Sequence, residues 1–347
     1  MQPRARIDAL QTLRALAALL VAAFHLHAAA VNETGTSGPF ILFQRGEAGV
    51  DLFFVLSGFI ITHAALSRPD QTGRQFLAAR FWRVVPPYWA AMSLYLAAAL
   101  SLAVLSGDAG PLPDAASLIA AILLIPSGEP VVSVAWSLSI ECAFYLLFAV
   151  TWFIFGKRIF LAALITWSVA AWLLHQTGHA TVMAVLFHAA VPEFLLGTGL
   201  AFAVRKGWSR GQPAALVVGG LAFALAVTGA FDCIEAVLGR AFAFGMPAAL
   251  LIWGALGVRR AAPIATVIGD ASYLLYLLHL LVFYTIGRGV EMLTGFNVYT
   301  STAAMLAMLT AATAAAVAAH LWLERPYQRW CKARRAAPGT AAISPAR

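Results

Sequence analysis

Residues 13–30, "LRALAALLVAAFHLHAAA", make an apolar run of bilayer-crossing length that nevertheless carries one arginine and two histidines. A spanning helix needs about 20 largely apolar residues, and the segment 8–30 supplies them. A charged side chain within such a run costs about 3 kcal/mol even on lenient insertion scales, so it needs a polar cavity, a partner or a path to the surface. Arg14 and His25 are eleven residues apart, which on a helix is three turns plus about 20° and about 16 Å along the axis. They therefore line one stripe. His27 points about 160° away from His25, reads as an interfacial histidine, and makes no metal pair with it. Taken singly, Arg14 either faces a cavity or snorkels to lipid phosphate, and His25 is either a working imidazole or one buried neutral.

The rest of the chain has the same character. Of 347 residues, 61% are hydrophobic and 11% charged, against roughly 45–50% and 25% in a soluble domain; the mean hydropathy is +0.82. This is the composition of an all-α integral membrane protein. Apolar stretches predict about ten spans, near 8–30, 47–66, 84–106, 134–155, 159–175, 181–204, 213–231, 237–257, 263–286 and 300–323. The piece 117–126, "SLIAAILLIP", is too short to cross and reads as a re-entrant or interfacial segment. With the N-terminus in the cytoplasm, 19 of the 23 lysines and arginines fall on the inside. Only Arg45, Arg240 and Arg288 lie outside, with Arg14 inside the first span. That bias predicts cytoplasmic termini and accounts for the net charge of +8 without nucleic acid. Residues 1–335 read as one membrane domain and 336–347 as a disordered tail. The arginine-bearing start could mimic a secretory signal, but Arg14 and His25 interrupt the core a signal keeps apolar.

Four further stretches place polar groups in or beside spans. In "RQFLAARFWRVVPPYW" (74–89), Arg80 and Arg83 share a face. Pro86 and Pro87 predict a helix starting there, which would set two guanidinium groups beside a helix N-terminus: an anion site, or simply topology signals. In "VAWSLSIECAFYLLF" (134–148), Ser137, Glu141 and Tyr145 recur every four residues beside Trp136, and the carboxylate calls for a basic partner. In "ASYLLYLLHLLVF" (271–283), Ser272, Tyr276 and His279 form another stripe, a site or a hydrogen-bonded core. In "GEAGVDLFFVLSGFIIT" (46–62), Asp51 stands near the start of its span, where it either serves a site or complements the helix dipole. His175 and His179 fall in a short loop and make a weak metal signal. The three cysteines lack CxxC spacing, and no nucleotide-binding, zincin or serine-hydrolase motif is present. A multi-span transporter or flippase for a lipid or sugar also needs intramembrane charges, and remains the alternative, with an assembly protein of a polysaccharide machine as a further one.

Together these stretches resemble the membrane-bound acyltransferase 3 family, which modifies bacterial surface and secreted carbohydrates. "LRALAALLVAAFH" matches its arginine–histidine signature, and "GVDLFFVLSGFIIT", "RFWRVVPPYW", "AWSLSIECAFYLL", "SYLLYLLH" and "LERPY" follow in the family's order. The start "DALQTLR" departs from the frequent Asp-Gly-Leu-Arg and is closer to the exopolysaccharide acetyltransferase branch. Cys142 stands where a second acidic residue often follows Glu141. Many relatives add an SGNH hydrolase-like domain; here transfer is expected to finish in the membrane domain or with a separate partner.

The resemblance implies a multi-pass protein of the bacterial cytoplasmic (inner) membrane that uses acyl-coenzyme A, commonly acetyl-CoA, as donor substrate, with no tightly bound cofactor and no metal. The implied acceptor is a hydroxyl of a carbohydrate or lipid-linked glycan. Membrane lipids, polysaccharide-biosynthesis proteins or a second copy of the chain are the implied partners. By the same resemblance Arg14, Arg80 and Arg83 would hold coenzyme A phosphates, and His25 would act as general base or transient acyl carrier. Glu141 would orient that imidazole. Asp51, Trp136, Ser137, Tyr145, Ser272, Tyr276 and His279 would support the site or bind the acceptor.

Overall fold

The structure is a computed structural model that describes residues 3–106, 113–126, 130–176, 183–258 and 262–336. Among these the chain is helical, without a strand. The principal helices are α1 (Pro3–Thr34), α2 (Ala48–Ser67), α3 (Gly73–Ser106), α4 (Ala115–Leu123), α5 (Trp136–Val150), α6 (Lys157–Gln176), α7 (Met183–Leu186) and α8 (Pro192–Arg205). They continue with α9 (Gln212–Val227), α10 (Asp232–Leu238), α11 (Met246–Ala255), α12 (Pro263–Asp270), α13 (Ser272–Thr294), α14 (Thr302–Ala319) and α15 (Arg325–Ala336). Seven described helices, some built of joined pieces, are long and apolar enough to cross a bilayer. Counting the sharply bent pair α9–α10 as one span makes eight.

Among the described residues, length and composition thus mark seven or eight candidate crossings where the sequence predicts about ten. The expected 181–204 span is interrupted, with α8 only 14 residues long. The expected 237–257 span is a π-turn, Ala241–Gly245, leading into the ten-residue α11. The expected 263–286 span breaks at Ala271 into α12 and α13. The piece around 117–126 is a nine-residue helix, too short to cross. Asp114 caps it by accepting from the Ser117 amide at 2.8 Å. The other end is held to α3, where Tyr88 donates to the Ala121 carbonyl at 3.0 Å and Trp89 to that of Ile122 at 2.9 Å. The tail beyond Ala336 and His179 lie outside the described residues.

The third span differs most from expectation. Pro86 and Pro87 stand inside α3 rather than in its first turn. The true start is a capping box: the Gln75 amide donates to Thr72 Oγ1 at 3.2 Å, and the Thr72 amide to Gln75 Oε1 at 3.0 Å. This Thr-x-x-Gln pattern satisfies two otherwise orphaned donors and begins the helix thirteen residues before the first proline. Arg80 and Arg83 consequently project from the flank of a continuous helix rather than from beside its own N-terminus.

Side-chain pairs give the helix directions. Arg14 reaches Ser272 and His25 reaches His279, so α1 and α13 run parallel. Tyr273 bonds the Val84 carbonyl and Tyr95 that of Leu277, so α3 runs the same way. Gly46 lies against Leu20 and Phe24 while Gly49 lies against Ala17, so α2 runs opposite to α1. These senses match an alternating inside–outside reading of the first, second, third and ninth expected spans.

Close approach of α2 and α8 locks the middle of the bundle. A Cβ built on Gly58 would overlap the Phe194 carbonyl, and one on Gly197 would overlap that of Val55. Small residues let membrane helices reach such contact. Gly197→Ala is expected to cost about 1–3 kcal/mol through forced separation, read as a lowered Tm of the detergent-solubilised protein. An unchanged Tm would mean the two helices are free to part. The contact holds α2 in place, and with it Ser57.

Candidate active site

Helices α1, α2, α3, α5 and α13 enclose a cleft with about 760 Å³ of empty space, part of it open to the surface. Its polar lining is Arg14, Ser57, Arg80, Arg83, Ser137, Glu141, Tyr145, Tyr273 and Tyr276, set among Phe53, Phe54 and aliphatic side chains. Three guanidinium groups and one carboxylate from three separate spans thus share one cavity. Arg83 is exposed at its mouth while Arg14 and Arg80 are half-buried. The side walls are the stripes that helical periodicity predicts: Ser137, Glu141 and Tyr145 from α5, Arg80 and Arg83 from α3.

Most of these polar groups are held by neighbours. Glu141 Oε1 accepts from Ser57 Oγ at 2.7 Å and from Tyr145 OH at 2.5 Å; hydrogen bonds to a charged acceptor are among the stronger ones. Arg14 Nε donates to Ser272 Oγ at 3.2 Å. The Arg80 guanidinium carbon sits 5.5 Å from the Phe76 ring centroid and 5.7 Å from that of Tyr145, within cation–π range. Its buried Nε has no hydrogen-bond partner among the described residues. Buried polar atoms are normally satisfied, so a guanidinium fixed on two rings with a donor to spare is suited to an anion. Tyr276 and Ser137 share a hydrogen bond of 2.6 Å, and Tyr276 also reaches the Val134 carbonyl at 2.9 Å.

Beyond Tyr276, one turn further along α13, lies His279. The rings of Tyr276 and His279 are 6.3 Å apart between centroids, and His279 Nε2 stands 3.1 Å from His25 Nδ1. Neither histidine lines the cleft itself. The side chain that hydrogen-bonds the His25 ring is therefore that of His279, and Glu141 is occupied by Ser57 and Tyr145. The Arg14–His25 stripe of α1 faces the Ser272–His279 stripe of α13 along its whole length.

Two expected members lie elsewhere. Asp51 is wholly buried and paired with Arg240, whose Nε and a terminal nitrogen each sit 2.7 Å from one carboxylate oxygen. Trp136 packs edge-on against Phe54 and 4.7 Å from the ring of His188, lining a smaller cavity with Tyr88 and Ser139. Sequence reasoning missed Ser57 and Tyr273, both of which lie inside motif stretches, and Arg240, whose distance in sequence from Asp51 hid the pair. Among the described residues no group of three or more histidine, cysteine, aspartate or glutamate side chains is placed to hold a metal ion.

Comparison with known proteins gives these residues a context. A family profile described as "Acyltransferase domain" matches residues 7–321. The chain is 32% identical over 325 residues to the exopolysaccharide production protein ExoZ of Rhizobium meliloti, covering 86% of this chain and 95% of that one. It is 28% identical to the acyltransferase MdmB of Streptomyces mycarofaciens, over the whole of this chain and 97% of the other. A stretch of 87 residues, 24% of this chain and 12% of the relative, is 37% identical to the peptidoglycan O-acetyltransferase OatA of Listeria monocytogenes. No solved structure matches the chain. With the profile running through every polar stripe of the cleft, the chain belongs to the acyltransferase 3 family and is a membrane-embedded acyltransferase.

Proposed function

We propose that the protein transfers an acyl group, in the simplest case acetyl, from acyl-coenzyme A to a hydroxyl of a cell-surface or secreted carbohydrate or its lipid-linked precursor. The observation that carries the reading is the convergence of Arg14, Arg80 and Arg83 on one cleft, whose wall residue Tyr276 has its ring 6.3 Å from that of His279. Coenzyme A is a polyphosphate head on a long, thin thioester arm. Guanidinium groups near the mouth suit the phosphates through charge-assisted hydrogen bonds, and the arm suits the roughly 16 Å of helix between Arg14 and His25. The names of ExoZ and OatA favour a polysaccharide acceptor.

In this reading His25 takes the acceptor's proton as the hydroxyl oxygen bonds to the thioester carbonyl carbon. The carbon–sulfur bond breaks, and the leaving thiolate takes up the proton, giving an ester and free coenzyme A. Ser57 and Tyr145 fix Glu141 so that its charge faces the arginines of the cleft. The protein lies in the bacterial cytoplasmic membrane with both termini inside. Of the described arginines, those in ion pairs are Arg45, Arg240 and Arg288, the same three that the charge bias places outside. The described arginines assigned to the inside take part in none of these ion pairs.

Mass spectrometry of extracellular and lipid-linked glycans, with and without the gene product, tests the activity; identical acyl content in both would end the proposal. The donor site has its own test. Arg80→Ala combined with Arg83→Ala is expected to raise the KM for acyl-coenzyme A about 10- to 100-fold, the equivalent of one or two charge-assisted hydrogen bonds. An unmoved KM would return both residues to a topological role.

A further inference from the structure

Two imidazoles meet where α1 and α13 run side by side, and their contacts assign every ring proton. His25 Nδ1 is 2.9 Å from the carbonyl oxygen of Val21, one turn back on its own helix. His279 Nδ1 is likewise 3.0 Å from the carbonyl oxygen of Leu275. A carbonyl oxygen can only accept, so each Nδ1 carries the hydrogen. The neutral His279 ring then has its lone pair on Nε2, and that atom lies 3.1 Å from His25 Nδ1. The Nδ1 hydrogen of His25 is shared between the Val21 carbonyl and His279 Nε2. The neutral His25 ring keeps its lone pair on Nε2, which makes no hydrogen bond among the described residues. His279 is fully buried, whereas His25 is partly open; of the two, His25 is the one a reactant can reach.

We infer that His279 is a positioning residue that holds His25 in the tautomer with Nε2 free for proton abstraction and accepts from its Nδ1–H while the ring is charged. The inference rests on His25 being the base of the proposed transfer. As the acceptor oxygen bonds to the thioester carbon, its proton passes to His25 Nε2, and the Nδ1–H already points at its two acceptors. Neither ring has to turn. When the carbon–sulfur bond breaks, the same proton leaves Nε2 for the thiolate sulfur. A third group orienting the base is usually a carboxylate; here a neutral histidine fills the place, and Glu141 is bound elsewhere. Two turns back on α13, Ser272 holds Arg14, so one helix aligns both the donor-binding arginine and the base.

The experiment compares His279→Leu, which removes the acceptor, with His279→Gln, whose side-chain oxygen can reach the position of Nε2. Both are assayed as the full chain in lipid nanodiscs. His279→Leu is expected to lower kcat at least about tenfold while the donor KM stays within about twofold, because the interaction matters most while His25 is charged. His279→Gln is expected to recover to within about threefold of the parent. A parental kcat in His279→Leu, or a His279→Gln protein as slow as the leucine variant, would overturn the inference. Should His279→Leu not reach the membrane, ¹⁵N imidazole spectra of the unmutated chain decide. The His25 signals, assigned by their loss in His25→Ala, read as the Nδ1–H tautomer or they refute it. An active His25→Ala protein would remove the base reading itself; an inactive one beside an unimpaired His279→Leu removes only the positioning role.

Discussion

Replacing His25 by alanine is expected to abolish acyl transfer, a loss of about 10²- to 10⁴-fold or more, with the protein still inserted at parental abundance. The direction follows from the geometry: His25 is the partly open imidazole beyond the arginine-lined cleft, and its Nε2 is unclaimed by any described neighbour. Normal insertion follows from the environment. Truncation strands the His279 Nε2 lone pair, a cost of about 1–3 kcal/mol, and leaves the α1–α13 seam otherwise packed by Leu26, Leu275 and Phe283. Acyl transfer by the purified variant, set beside its abundance in isolated membranes, checks both halves. Full retained transfer would remove His25 from the chemistry.

The second large effect concerns stability. Arg240→Met is expected to destabilise the protein by about 3–5 kcal/mol, the cost of leaving a buried carboxylate without its cation. Asp51 is 0% exposed and the Arg240 side chain 11%, so solvent screening is slight. Glu193, also fully buried, lies against the Asp51 carboxyl and near Arg240. Loss of Arg240 also removes the favourable charge nearest to Glu193. Adding Asp51→Asn to Arg240→Met should restore much of the lost stability, because the stranded charge goes with it. Thermal unfolding in detergent reads both variants. A single variant as stable as the parent, or a double variant worse than the single, would show that the pair carries no such weight.

Several features are legible in the sequence. The membrane class, the Arg14–His25 stripe, the Ser137–Glu141–Tyr145 stripe and the Ser272–Tyr276–His279 stripe all appear as built, because each is a property of one helix and its 3.6-residue period. The start of α3 is legible too, in Thr72 and Gln75, but the two prolines are the stronger signal and point elsewhere. Inside the helix the two prolines free the carbonyls of Trp82 and Arg83; the next carbonyl, that of Val84, accepts from Tyr273 of a helix 189 residues away.

The sequence by itself determined which residues are costly to bury and which of them share a helical face, because burial cost and periodicity are local. Which face meets which was decided by the tertiary structure alone. It set Arg14 on Ser272, His25 on His279, Glu141 on Ser57 and Asp51 on Arg240, partners 84 to 258 residues apart. The reason is physical: in a bilayer every apolar face is equally at home in lipid, so hydrophobicity cannot specify helix neighbours. That choice falls to close packing at small residues such as Gly58 and Gly197 and to the few polar pairs that find each other across the bundle.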